Sequence, residues 1–197
     1  MLIIEHRINS INMLSGVSFS HGVEMDIHAF GEQLVVHHDA LQDSVRLDQW
    51  LKVFNHALVI FNIKEEGIEE EVLIQAKLAG ISNFFMLDIS FPSMIKLAKS
   101  GERRIAVRVS EYEPIEQALR LAKWVDWVWI DVFSALPVGK TEVNLLRAAG
   151  LKLCLVSPEL HKHSPDKIAE MRKQIESEEI YFDAVCTKNP ELWKNVT

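Results

Sequence analysis

Short apolar runs alternate with stretches of helical period from one end of this 197-residue chain to the other. No other feature limits the fold as strongly. The runs are Leu2-Ile3-Ile4, Val23 to Ile27, Leu58 to Ile63, Phe84 to Leu87, Ile105 to Val107, Trp127 to Ile130, Leu151 to Val156 and Ala184 to Cys186. A turn at Gly31 followed by Leu34-Val35-Val36 makes the second run a hairpin. Counting that arm as an ornament leaves eight strand units.

Between the runs, Glu69 to Ala79, Ile115 to Ala122, Val143 to Ala149 and Pro165 to Ile175 repeat apolar residues at three- and four-residue spacing. Gly80, Gly101 and Gly150 sit where helices should end, and Pro92, Pro114 and Pro165 where they should start. Strands apolar on both faces, alternating with helices, belong to a parallel sheet covered by helices. The expected fold is α/β, a (β/α)8 TIM barrel in one domain over residues 1–197, compact beside the roughly 250 residues usual for that fold. A doubly wound open sheet is the alternative.

Composition narrows the class of function. With 21 Lys and Arg against 28 Asp and Glu, the net charge of −7 leaves no basic face for nucleic acid. Cys154 and Cys186 are too few for a disulfide framework. No apolar run approaches the ~18 residues of a membrane span, and His6-Arg7 interrupts the apolar start. A cytoplasmic protein without stable membrane insertion is expected.

In a barrel the active site lies at the carboxyl ends of the strands. There the chain carries His6, Arg7, Glu24, Asp26, Asn62, Lys64, Asp88, Arg108, Glu111, Asp131, Ser157, Glu159 and Thr187. Any strand leaving a core meets water, so position alone does not make these residues functional. Three clusters go further. His6-Arg7 closes the first strand, Glu24-x-Asp26 the second, and His38-Asp39 the hairpin arm. Strand alternation puts Glu24 and Asp26 on one face, about 7 Å apart along the strand. Two histidines, two acids able to hold a hard cation and a fixed positive charge suit phosphoryl transfer.

In this order the clusters resemble the glycerophosphodiester phosphodiesterase family, within the phospholipase C-like phosphodiesterases. That family's His-Arg-Gly is matched by His6-Arg7-Ile8, its Glu-x-Asp by Glu24-Met25-Asp26, and its His-Asp by His38-Asp39. Its Glu-x-Lys strand corresponds to Asn62-Ile63-Lys64, and its Thr-Asp-x-Pro to Thr187-Lys188-Asn189-Pro190. The resemblance implies a (β/α)8 barrel and hydrolysis of a glycerophosphodiester or related small phosphodiester, in lipid metabolism. It implies His6 and His38 as the acid–base pair, with Glu24, Asp26 and Asn62 holding Mg²⁺ or Ca²⁺. Arg7 and Lys64 would bind phosphate oxygens; Arg108, by its place at a strand end rather than by the resemblance, is expected as a further cation facing the substrate. A neighbouring substrate hydroxyl would attack first, and water would then open the cyclic phosphate.

The departures carry consequences. Ile8 replaces glycine, Asn62 a metal-binding glutamate, and Lys188 an aspartate. Asp88 is the candidate to restore the third carboxylate. Only 22 residues separate Asp39 from Asn62, too few for the insertion that covers the family's site. A barrel that keeps the phosphate pocket but has lost efficient catalysis, serving as a binding protein, is therefore the alternative function. The expected partner is a small phosphodiester, with no nucleic acid and with room for a homo-oligomer.

Other motifs point elsewhere less strongly. Gly139-Lys140-Thr141 lacks the earlier glycine of a phosphate-binding loop, and Thr141 is expected as a helix cap. His161-Lys162-His163 suits a polar loop better than a metal site. Cys154 and Cys186 fit the core, and Trp50 and Trp193 fit helix anchors. Arg108 is equally suited to a phosphate or to an ion pair with Glu111.

Overall fold

A computed structural model describes residues 1–194. The chain forms two compact units, one of Glu5–Gly101 and one of Met1–Ile4 with Glu102 onward.

In the Glu5–Gly101 unit, β2 (Gly22–Phe30) is the organising strand. It pairs in parallel with β4 (Leu58–Ile63), which pairs in parallel with β5 (Phe84–Leu87). The hairpin arm β3 (Gln33–Val36) returns antiparallel along β2, as its sequence indicated. Every residue of β4 and β5 is buried, the expected state of parallel strands covered on both faces. Register decides what meets what: Asp26 lies opposite Asn62, and Glu24 opposite Ile60. The helices are α1 (Ile11–Leu14), α2 (Leu47–Leu51), α3 (Glu69–Leu78) and α4 (Phe91–Lys99). Ser90 caps α4 with Pro92 in its first turn, and the helix buries Met94, Leu97 and Ala98. Met94 and Leu97 each contribute about 1.5–3 kcal/mol by leaving water. Trp50 of α2 is buried and donates its indole N–H to the Ile8 carbonyl at 3.1 Å. Ile8 is itself 5% exposed, so the position after His6-Arg7 takes an apolar side chain as part of the core.

In the other unit, β6 (Ala106–Val109), β7 (Trp127–Ile130), β8 (Lys152–Val156) and β9 (Ala184–Thr187) pair in parallel in that order. The strand β1 (Leu2–Glu5) follows β9, and Leu2 N–H donates to Asp183 O at 2.9 Å. Here the helices are α5 (Ile115–Leu121), α6 (Lys140–Ala148) and α7 (Asp166–Ser177). Two 3₁₀ turns complete it, Pro158–His161 and Pro190–Trp193. Gly80 and Gly150 follow α3 and α6 with φ of +73° and +86°, the left-handed backbone that ends a helix without a Cβ penalty. Cys154 and Cys186 are buried and free, as a core role requires.

One local expectation is corrected, and one open alternative gains a third partner. Thr141 does not cap α6: the helix starts at Lys140, and Glu142 accepts the Gly139 N–H at 2.9 Å. A glutamate three residues into the helix reaches back to the cap backbone better than a threonine already inside the first turn. Arg108 pairs with Asp131, a partner outside the two alternatives, while Glu111 is engaged by the backbone. Its carboxylate accepts the backbone N–H groups of Phe133, Ser134 and Ala135, at 3.2, 2.6 and 2.9 Å.

Burial alone would raise the Glu111 pKa, but the Ala135 and Ser134 N–H groups hold it down at about 2. A depressed carboxylate stabilises the fold above its ordinary 4.5 and loses that contribution as the pH falls through about 2. Acid is therefore expected to release the 133–135 backbone from Glu111, moving the Ser134 and Ala135 amide resonances across that window. Glu111→Gln should abolish the titration. Unchanged resonances in the native protein would contradict the latch.

Candidate active site

The Glu5–Gly101 unit places two carboxylates, Glu24 and Asp26, entirely out of contact with water. They project from one face of β2 because they are two residues apart. Such a pair is costly to bury unless it is hydrogen-bonded and counter-charged. The surrounding residues meet that demand.

Glu24 Oε2 accepts the Arg7 backbone N–H at 2.7 Å, and Oε1 accepts Asn62 Nδ2 at 2.8 Å. His6 Nε2 lies 3.7 Å from Oε2. Asp26 is clamped by Asn9, which donates from Nδ2 to Oδ2 at 2.8 Å and accepts the Asp26 N–H at 3.0 Å. Arg7 Nε approaches Asp26 Oδ2 to 3.8 Å, and Lys64 Nζ lies 3.3 Å from both Asp26 Oδ1 and Asp88 Oδ2. Burial, with the Asp26 charge beside it, pushes the Glu24 carboxyl up to about 7 despite the Asn62 and Arg7 hydrogen bonds.

Arg7 joins this pair to the second histidine. Its Nη2 donates to His38 Nε2 at 2.5 Å, and His38 Nδ1 meets Asp39 Oδ1 at 2.8 Å. A carboxylate only accepts and a guanidinium only donates, so His38 carries its proton on Nδ1 and a lone pair on Nε2. Arg7 and Asp88 both have left-handed backbone, φ +57° and +61°, unusual outside glycine and common where a site constrains the chain.

The expected residues His6, Arg7, Glu24, Asp26, His38, Asn62 and Lys64 thus come together in one unit. Asp88 stands beside Lys64. Arg108 lies in the other unit, where its guanidinium pairs with Asp131. Ser157, Glu159 and Thr187 tie that unit together: Glu159 accepts from Ser157 and Thr187 hydroxyls, and Ser157 accepts the Trp193 indole N–H at 2.8 Å. Sequence reasoning assigned no role to Asn9 or Asp39. Asp39 was visible as half of His-Asp; Asn9 had no signal, since its partner is 17 residues away.

Among the described residues, no three His, Cys, Asp or Glu side chains form a metal-ligating group. A hard cation here would rest on two carboxylates and an amide. Asn62 Oδ1 is buried without a hydrogen-bond partner, and Asp26 Oδ1 has the Lys64 ammonium nearby but no well-directed hydrogen bond. With Glu24 these are hard oxygen donors, chemistry that fits Mg²⁺ or Ca²⁺.

No family model and no curated protein sequence matches the chain. Solved structures do. A glycerophosphodiester phosphodiesterase from Agrobacterium tumefaciens strain C58 superposes with a TM-score of 0.68 at 14% identity, over 98% of this chain and 98% of that one. A glycerophosphoryl diester phosphodiesterase from Parabacteroides distasonis gives 0.68 at 13%, over 97% and 84%. An A. tumefaciens C58 chain to which glycerophosphoryl diester phosphodiesterase activity is ascribed gives 0.71 at 16%, over 97% and 94%. The likeness shows the fold, the (β/α)8 barrel that the order of segments indicated, and excludes the open sheet.

The raised Glu24 pKa has a stability consequence. A carboxyl that keeps its proton in the fold contributes fully below its ordinary 4.5, and that contribution is lost as the pH rises through about 7. In chelator-treated protein the urea midpoint should fall across this window, and Glu24→Gln should flatten the fall. An equally steep fall in the substituted protein would show that another group is responsible.

Proposed function

We propose that this chain is a metal-assisted phosphodiesterase that hydrolyses a glycerophosphodiester or a related small phosphodiester. The observation that carries the reading is the contact chain His6–Glu24–Arg7–His38–Asp39, with Asp26, Asn62 and Lys64 closing around it. The fold shared with the Agrobacterium and Parabacteroides structures supports it, as does the order of the motifs.

His38 is the proton acceptor. Asp39 fixes its tautomer, and the Nε2 lone pair is held by Arg7 until phosphate oxygens draw the guanidinium away. Substrate binding thereby releases the base. A neighbouring hydroxyl of the substrate loses its proton to His38 and attacks phosphorus. The leaving alkoxide takes a proton from His6, and a cyclic phosphate results. Water then opens the ring with the two histidines in exchanged roles, which restores both protonation states. Arg7 and Lys64 hold the phosphate oxygens as charge spreads over them. Glu24, Asp26 and Asn62 would hold the divalent cation, which when bound supplies further neutralisation of that charge. Asp88 positions Lys64.

Two tests follow. On glycerophosphocholine with Mg²⁺, Mn²⁺ or Ca²⁺, His6→Ala and His38→Ala should each lower turnover by about 10²-fold or more while circular dichroism stays unchanged. Near-normal turnover in either variant would remove that histidine from the reaction, and no turnover by the native protein with any cation would overturn the proposal. With only two charged ligands the cation should bind loosely, since hard oxygen sites weaken as ligand charge falls. Asn62→Glu should then tighten metal binding in calorimetry. Equal or weaker affinity would place Asn62 outside the ligand set.

A further inference from the structure

The buried histidine of β2 has no part in the reaction above. His28 stands two residues beyond Asp26, on the face that carries Glu24 and Asp26, and is 7% exposed. Its Nε2 lies 3.1 Å from the His38 backbone oxygen. A carbonyl only accepts, so Nε2 carries a proton and donates it. Behind the ring stands Glu65, whose Oε2 lies 3.9 Å from His28 Nδ1 and accepts the Ala29 N–H at 3.0 Å. All of these residues belong to the Glu5–Gly101 unit.

The acceptor gives this contact its meaning. The His38 oxygen belongs to the peptide that joins His38 to Asp39. The N–H of that same peptide, on Asp39, donates to His37 Nδ1 at 3.0 Å. Two imidazoles therefore grip one peptide at both its polar groups, one from β2 and one from the residue after β3. This peptide needs the grip. In an extended chain neighbouring side chains point to opposite sides, yet His38 Nδ1 and Asp39 Oδ1 are 2.8 Å apart. The two side chains are 40% and 72% exposed, and exposed ion pairs hold their own geometry weakly. A different orientation of the peptide would part the ring from the carboxylate and release the tautomer.

We propose that His28 is a positioning residue for His38. Its hold on the His38 carbonyl, with His37 on the Asp39 N–H, sets the peptide between the two members of the His-Asp pair. That in turn keeps the His38 proton on Nδ1 and its Nε2 lone pair aimed at the place Arg7 now occupies. The hold is a property of the fold; its effect on turnover rests on the reading of His38 as the base. A base displaced by about 1 Å can cost about 10²-fold in rate. One face of β2 thus serves both halves of the proposed site, its carboxylates the cation and its histidine the base.

The ring nitrogens report on this hold without any turnover. Full-length protein is labelled with ¹⁵N-histidine and observed at about pH 8, with signals assigned through His28→Gln and His38→Ala. His28 should show a proton on Nε2, and His38 a proton on Nδ1. His28→Leu fills the space without a donor and should draw the two His38 nitrogen signals toward each other as its tautomers exchange. His28→Gln, whose amide reaches as far as the imidazole Nε2, should keep them apart. On glycerophosphocholine, His28→Leu should lower kcat about tenfold or more with KM little changed, and His28→Gln should recover most of the loss. If His28→Leu loses the native circular dichroism, His28→Asn takes its place, since its amide is too short to reach the carbonyl. A His28 ring without a proton on Nε2 would overturn the proposal. So would His38 signals unchanged by removal of the donor, or a His28→Gln variant as impaired as His28→Leu. Native protein without turnover would count against His38 as the base, and the ring signals would still decide the hold.

Discussion

Two carboxylates on adjacent same-face positions of a buried strand, Glu24 and Asp26, govern the Glu5–Gly101 unit. Like charges at such spacing in a dry interior repel each other and forfeit hydration, and the chain answers both costs with specific partners. Asn9 clamps one carboxylate in a two-point contact, the Arg7 backbone and Asn62 hold the other, and Lys64 supplies charge from the strand end. The left-handed backbone at Arg7 belongs to the same solution. It turns the Arg7 N–H onto Glu24 while the side chain runs to His38.

Asn62 is where this site differs most from the family it resembles. A third carboxylate at this place would add a third buried negative charge. The amide instead donates to Glu24 and leaves its own oxygen without a hydrogen-bond partner. The result is a site whose carboxylates are partly neutralised by the protein itself. On the proposed reading, its affinity for a cation would be set by two charges rather than three, and Arg7 and Lys64 would carry a larger share of phosphate recognition.

Much of this was legible in the sequence, for physical reasons. Parallel strands are apolar on both faces, so β4, β5 and β7 stood out as runs, and period-2 alternation alone paired Glu24 with Asp26. His6 and His38 were visible because they end such runs. What the sequence hid depends on tertiary contact. Asn9 gains its role from a strand 17 residues away. Arg108 had two candidate partners and took a third, Asp131, whose approach depends on the register of β6 with β7. His161 looked like loop polarity until the turn after β8 brought it to the same carboxylate. The Thr141 expectation failed because local propensity could not foresee Glu142 reaching back to Gly139.

The central claim is that one constellation holds both a cation and a phosphate between the two histidines. A crystal of the protein soaked in Mn²⁺ and inorganic phosphate tests it most directly. The account predicts an anomalous peak within coordination distance of Glu24, Asp26 and Asn62 Oδ1, with phosphate oxygens on Arg7 and Lys64 and the Arg7 guanidinium withdrawn from His38 Nε2. A peak elsewhere, or a phosphate bound while Arg7 stays on His38, would contradict it.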